Sequence, residues 1–253
     1  MTLDFNTAWV TAVLLCSLRL SALLLLTPVF QATNLPARVR VILILVLAVA
    51  LVGGMRLVPA SLPSDLPEFF SAAANELVVG ALMAYGIFAA FAAFSFAGHA
   101  LDFQIGFSIA NIFDPVTRTQ SPLIASLFGM VAVALFLTFD AHHALLRGVA
   151  YSLEQVPLGA TMHPLNLPAL VREFGSVFSL GLMLAAPPLF CLFLVEICLA
   201  VLSRNLPQLN IFMFSIPINI AVGLTVLALV TGHMGSVAKR IFESAFTFWE
   251  AAL

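Results

Sequence analysis

Apolar residues along this chain gather into long blocks separated by short polar, proline-marked stretches. The blocks run Trp9–Phe30, Val41–Met55, Leu77–Gly98, Leu123–Phe139, Val177–Leu202 and Leu206–Gly232. A helix needs about 20 apolar residues to cross roughly 30 Å of hydrocarbon. The pattern therefore predicts five or six apolar helices and an all-α, membrane-associated fold. Between the blocks lie a basic turn, Asn34–Arg40, a stretch with three prolines, Pro59–Pro67, and a connector, Leu153–Arg172, that marks the best internal boundary. Ser121-Pro122 reads as a helix start, with serine as N-cap and proline in the first turn.

One stretch departs from this rhythm. Phe103, Ile105, Phe107 and Ile109 alternate with small or polar neighbours, and a period of two predicts extended backbone. Ile112 and Phe113 follow, then the turn signal Asp114-Pro115. Unpaired backbone is tolerated at membrane depth only where protein buries it or water lines it. An apolar loop in an aqueous conduit also makes a seal, because narrow apolar passages dewet. A packed structural loop and a pore seal are both compatible with these residues.

Two further patterns concern packing. Ala89, Ala93 and Ala97 recur every four residues and Phe88, Phe91 and Phe94 every three, a stripe suited to close helix approach and assembly with another subunit. The C-terminal segment is amphipathic. Val237, Ile241, Phe242, Ala245, Phe246, Phe248, Trp249 and Leu253 fall on one half of a helical wheel, and Lys239, Arg240, Glu243, Ser244, Thr247 and Glu250 on the other. Such a helix is expected on a membrane surface or against a partner subunit.

Composition sharpens the class. Of 253 residues, 62% are hydrophobic and 9% charged, and the mean hydropathy is +1.12. This excludes a disordered chain and argues against a water-soluble globule. The net charge of −2 and the single lysine, Lys239, give no basic patch for nucleic acid. Cys16, Cys191 and Cys198 sit in apolar runs and read as small hydrophobes. Met1–Thr7 has Asp4 and no basic side chain, so the first apolar run is expected to be retained. If all six runs cross, Arg38, Arg40, Arg118 and Arg204 fall on one side, and Arg56, Arg147, Arg172, Lys239 and Arg240 on the other. That near-even split gives no positive-inside bias.

Few residues offer chemistry. Arg19 and Glu196 lie inside apolar runs, where a charge costs about 2.5–3.5 kcal/mol on insertion scales, so each should be paired or face protein or water. An ion pathway and a helix-helix or inter-subunit pair are the two readings. Asp140, His142 and His143 cluster in sequence, and His99 and Asp102 stand three apart. Adjacent histidines do not share a helix face as i, i+4 metal ligands do, so a helix-end cap or a surface cluster is expected rather than a metal site. Gly106–Ala110 faintly matches a nucleophile turn around Ser108, with His233 as a distant base, but the final glycine is missing.

Taken in order, several stretches resemble the FliR family, the R subunit of the flagellar type III export gate. They are Arg19, Pro28 and Leu35–Arg40; Gly106–Ala110 with Asp114-Pro115; Phe139–Leu146, Tyr151-Ser152 and Pro157–Gly159; and Pro207–Phe212 with Ile216-Pro217. Ala141 departs from the family's usual glycine, and Ser215 and Asn219 from its glycine and lysine. The resemblance implies a non-enzymatic subunit without cofactor, built of long broken helices forming hairpins. It would pack with homologous P and Q subunits in a helical ring at the inner membrane of the flagellar basal body, its core partly on the periplasmic side. It further implies a P-like part over residues 1–170, with a plug loop at 106–122, and a Q-like hairpin over 171–253. Gly106, Phe107, Ile109, Ile112, Phe113, Asp114 and Pro115 would form the plug that closes the path of unfolded substrates. Ala89, Ala93, Ala97 and Pro217 would pack between subunits, and Arg19 and Glu196 would be buried charges. The alternatives are the matching subunit of a virulence injectisome and, in a different class, a small-molecule or ion transporter using Glu196.

Overall fold

The computed structural model describes residues 7–32, 36–61, 63, 65–107, 122–160, 165–206, 208 and 211–253. Among them regular structure is entirely helical: α1 (Thr7–Leu26), α2 (Pro28–Ala32), α3 (Ala37–Met55), α4 (Leu66–Ile105), α5 (Leu123–Thr138), α6 (Ala141–Gln155), α7 (Leu167–Asn205) and α8 (Ile211–Ala252). Five helical stretches are long and apolar enough to cross a membrane, or six if α5 and α6 are counted together. Helices α4, α7 and α8 have 40, 39 and 42 residues. At about 1.5 Å per residue each is roughly 60 Å long, about twice the hydrocarbon thickness. The helical path continues through Pro187 and Pro188 in α7 and Pro217 in α8, and the chain instead breaks at Phe139-Asp140.

The chain forms two compact units, and α4, α7 and α8 contribute to both. The first comprises Met1–Ala89, Asp140–Glu173 and Ser244–Leu253. Its core follows helical periodicity. Helix α1 buries Ala12, Leu15, Cys16, Leu20, Leu23 and Leu24, whereas α3 buries only the i+4 stripe Ile44, Ala48 and Val52. Val41, Ile42, Leu45, Val46 and Val49 on α3 stay exposed, an apolar outer face suited to lipid or another chain. Within the basic stretch at Asn34–Arg40, Arg38 and Arg40 belong to the first turn of α3 rather than to a turn between helices. On α6, Ala141, Leu145, Val149, Ser152 and Leu153 are buried.

The second unit comprises Ala90–Phe139 and Phe174–Glu243. Phe91, Phe94 and Phe136 surround Phe242 at centroid distances of 5.8, 5.7 and 5.6 Å. Small residues let backbones meet: a Cβ on Gly181 would lie 2.7 Å from the Ala93 carbonyl oxygen, and one on Gly98 would lie 2.4 Å from Ala125 Cα. An apolar cavity of about 340 Å³ lies among Phe94, Phe128, Leu184, Leu227, Met234 and Ala238. The hydroxyl at its wall, Thr231 Oγ1, donates to the Leu227 carbonyl at 2.7 Å, leaving little polar chemistry inside.

The amphipathic C-terminal stripe packs on its own chain rather than on a membrane surface or a partner. Ile241, Phe242, Ala245, Phe248 and Trp249 are buried, while Lys239, Arg240, Glu243, Thr247 and Glu250 are exposed. In the first unit, Trp249 Nε1 donates to the Met83 carbonyl at 2.9 Å. Its indole ring fills space that glycine leaves open: a Cβ on Gly148 would sit 2.0 Å from Trp249 Cζ3, and one on Gly86 would sit 3.0 Å from Trp249 Nε1.

Candidate functional site

The described part of the stretch singled out by its alternating pattern is helical apart from Gly106. Helix α4 runs to Ile105, so Phe103 and Ile105 are helical, not extended. Leu101 and Ile105 form a buried i, i+4 pair while Phe103 is 75% exposed. Two residues are about 200° apart on a helix, so a short in-out alternation is equally a helical signature. Gly106 ends the helix with φ +96°, and its N–H donates to the Phe103 carbonyl at 3.2 Å. Glycine adopts this conformation without the strain a Cβ brings, which makes it a natural helix terminator. Phe107, also expected to be extended, is helical and half-buried. Ile109, Ile112, Phe113, Asp114 and Pro115 lie outside the described residues, as do Ser108 and the side chain of His233.

Where the chain resumes, the start of α5 is held by a residue from α4. Pro122 occupies the N-cap position, and no side-chain cap comes from it. Asp102 takes over this role: its Oδ1 accepts from Ile124 N–H and its Oδ2 from Ala125 N–H, each at 2.9 Å. Both carboxylate oxygens thereby satisfy amides that have no partner within the helix, and the negative charge suits the helix N-terminus. Asp102 is 2% exposed. Ser121, the residue expected to cap, lies outside the described residues. His99 is exposed and not joined to Asp102 in a shared site.

In the first unit, Arg19 is the largest fully buried side chain, at 1% exposure. Its partner is Glu76, a residue that escaped notice because it stands at the margin of an apolar run. Arg19 Nε donates to Glu76 Oε2 at 2.6 Å. The guanidinium also donates to the Ser152 carbonyl at 2.8 Å, the Ser152 hydroxyl at 3.3 Å and the Val156 carbonyl at 2.8 Å. Glu76 Oε1 in turn accepts from Gly159 N–H at 3.1 Å. Gly159 has φ +73°, and its carbonyl accepts from Ser61 Oγ at 2.9 Å. One ion pair thus holds the end of α6 and the turn after it to α1 and α4. The fork geometry of guanidinium suits this task, since it serves several acceptors in one plane.

Other predicted residues sit elsewhere. Glu196 is exposed on α7, so within this chain it is not a buried charge. Ala89, Ala93 and Ala97 are 4%, 1% and 0% exposed. The close approach that alanine permits is used inside the chain, and these residues are not open to a neighbouring subunit. Pro217 is exposed. Asp140 occupies the N-cap position of α6 with φ +53° and no side-chain cap. Its Oδ1 lies 3.6 Å from His143 Nδ1, both side chains being exposed, and the His142 and His143 rings lie 4.2 Å apart. The donor atoms of the three residues fall within 4.8 Å of one another. The arrangement is a polar group at a helix start, with Asp140 and His143 exposed and His142 half-buried.

A model of the family described as bacterial export proteins, family 1, matches residues 10–245. The flagellar biosynthetic protein FliR of Bacillus subtilis (strain 168) is 32% identical over 236 residues, which cover 92% of this chain and 90% of that protein. FliR of Pectobacterium carotovorum subsp. carotovorum is 30% identical over 246 residues, covering 94% and 91%. FliR of Escherichia coli (strain K12) is 29% identical over 236 residues, covering 90% and 87%. With the match spanning the apolar helices, the buried Arg19, the Asp102 cap and most of α8, the chain belongs to family 1 of the bacterial export proteins.

Proposed function

We propose that this chain is a structural, pore-forming subunit of the flagellar type III protein export gate in the bacterial inner membrane. The observation that carries this reading is the match over residues 10–245 to a family of export proteins whose relatives are flagellar biosynthetic proteins. The flagellar relatives favour this system over an injectisome or a small-molecule transporter. Long apolar helices with exposed greasy faces support a chain that completes its burial in lipid and with other export subunits.

The finer assignments extend this proposal. The partners are P-like and Q-like subunits, with residues 1–170 resembling the former and 171–253 the latter, and the assembled core lies partly on the periplasmic side. Segment 106–122 plugs the conduit, with Phe107, Ile109, Ile112 and Phe113 as its apolar seal and Gly106 and Asp114-Pro115 as its bends. The left-handed conformation of Gly106 supports a sharp departure from α4 at that point. Glu196 and Pro217, exposed in the isolated chain, are assigned to inter-subunit contacts. The role is that of a wall and a stopper, without a catalytic step.

Removal of the gene, with complementation from a plasmid, tests the function. Loss of flagellar export that returns with the full chain is expected, together with copurification of other export subunits. Normal flagella without the gene would refute the assignment.

A further inference from the structure

We infer that Asp102 is the positioning residue that fixes the root of segment 106–122. This inference rests on the plug reading for its functional meaning, but its geometry stands in the described residues. Two points matter on either side of that segment: the end of α4 at Ile105 and the start of α5 at Leu123. Asp102 joins them by accepting from Ile124 N–H and Ala125 N–H, one bond to each carboxylate oxygen, both 2.9 Å. Gly98 stands one turn earlier on the same face of α4. The absence of a side chain there brings α4 against the α5 backbone, since a Cβ would lie 2.4 Å from Ala125 Cα.

The arrangement is more than an ordinary helix cap. A capping residue normally sits at the helix start itself, and here Pro122 holds that place and offers no side-chain cap. The missing function is supplied from α4, across residues 103–123 in the sequence. A buried carboxylate therefore joins the end of α4 to the start of α5. Whatever path the intervening residues take, they leave and return at a fixed separation.

The test uses the assembled export gate in planar bilayers, with four variants: Asp102→Ala, Asp102→Asn, Gly98→Ala and deletion of residues 106–114. The deletion should raise resting ion conductance. Asp102→Ala and Gly98→Ala should raise it roughly tenfold over the unaltered gate, the scale of losing one helix-capping side chain. Asp102→Asn keeps one acceptor oxygen and should fall between. Leak in the deletion with unaltered conductance in Asp102→Ala and Gly98→Ala would overturn the positioning role and leave the plug intact.

A deletion that does not leak would refute the plug reading. The root is then decided by spin labels at positions 103 and 123, both exposed (75% and 61%), with the native cysteines replaced. A narrow distance distribution that broadens in Asp102→Ala supports the positioning role. An unchanged distribution overturns it. If Asp102→Ala fails to assemble, Asp102→Asn and Gly98→Ala carry both measurements.

Discussion

Replacing Glu76 by leucine strands the Arg19 guanidinium in a site where both side chains are at most 1% exposed. Removing one member of a buried ion pair costs about 3–5 kcal/mol, because the remaining charge has neither water nor a counter-ion. Arg19→Met should cost at least as much, since it orphans the Glu76 carboxylate and also leaves the Ser152 and Val156 carbonyls without their guanidinium donors. Each unmet buried backbone group adds about 1–3 kcal/mol. The double variant Arg19→Met/Glu76→Leu removes both charges while leaving the backbone groups unmet. It should therefore be no less stable than Arg19→Met alone, with a coupling of about 3 kcal/mol or more between the two sites. The assay is reversible unfolding by SDS in mixed micelles, followed by circular dichroism, for the four members of the cycle. Additive losses, or a Glu76→Leu chain within about 0.5 kcal/mol of the parent, the range of ordinary surface substitutions, would refute the coupled buried pair.

Three other expectations follow from the packing. Gly148→Ala places a methyl 2.0 Å from Trp249 Cζ3, and the overpacking should cost about 1–3 kcal/mol, measured as earlier proteolysis of the C-terminal end of α8. Trp249→Ala should cost about 3–5 kcal/mol in the same micelle titration, and a neutral result would mean that the indole is not seated between Gly86 and Gly148. In the isolated chain a maleimide should modify Cys198, which is exposed, and spare Cys16, which is fully buried, until denaturant is added. Equal labelling of both before denaturation would contradict the packing of α1.

The apolar helices were legible because their blocks exceed what any soluble core requires, and the boundaries fell near prolines and glycines that limit helices for steric reasons. Arg19 was legible as a charge that must be paired, being alone among leucines. Its partner was not, since Glu76 lies 57 residues away at the edge of a run, and a single sequence carries no signal for pairing at that separation. Phe103 and Ile105 were misread because four residues of alternation do not separate a strand from the two faces of a helix end. Asp102 was legible beside His99 as part of a helix-end cap or a surface cluster rather than a metal site, but not which helix it caps, since its contacts are amides more than 20 residues onward. The alanine stripe was correctly a sign of close approach, and only the three-dimensional path shows that the approaching helix belongs to the same chain. The same holds for the amphipathic end of α8, whose pattern specifies a buried face without saying what buries it.

The seat of Trp249 has a consequence for how the molecule comes into being. Met83, Gly86 and Gly148 leave the ribosome long before residue 249 is made, so an indole-shaped gap stands open in the nascent first unit. During that interval α4 and α6 lack the indole that fills the space between Met83, Gly86 and Gly148. Locking waits for residue 249, so the first unit is completed only after every residue of the second has been made.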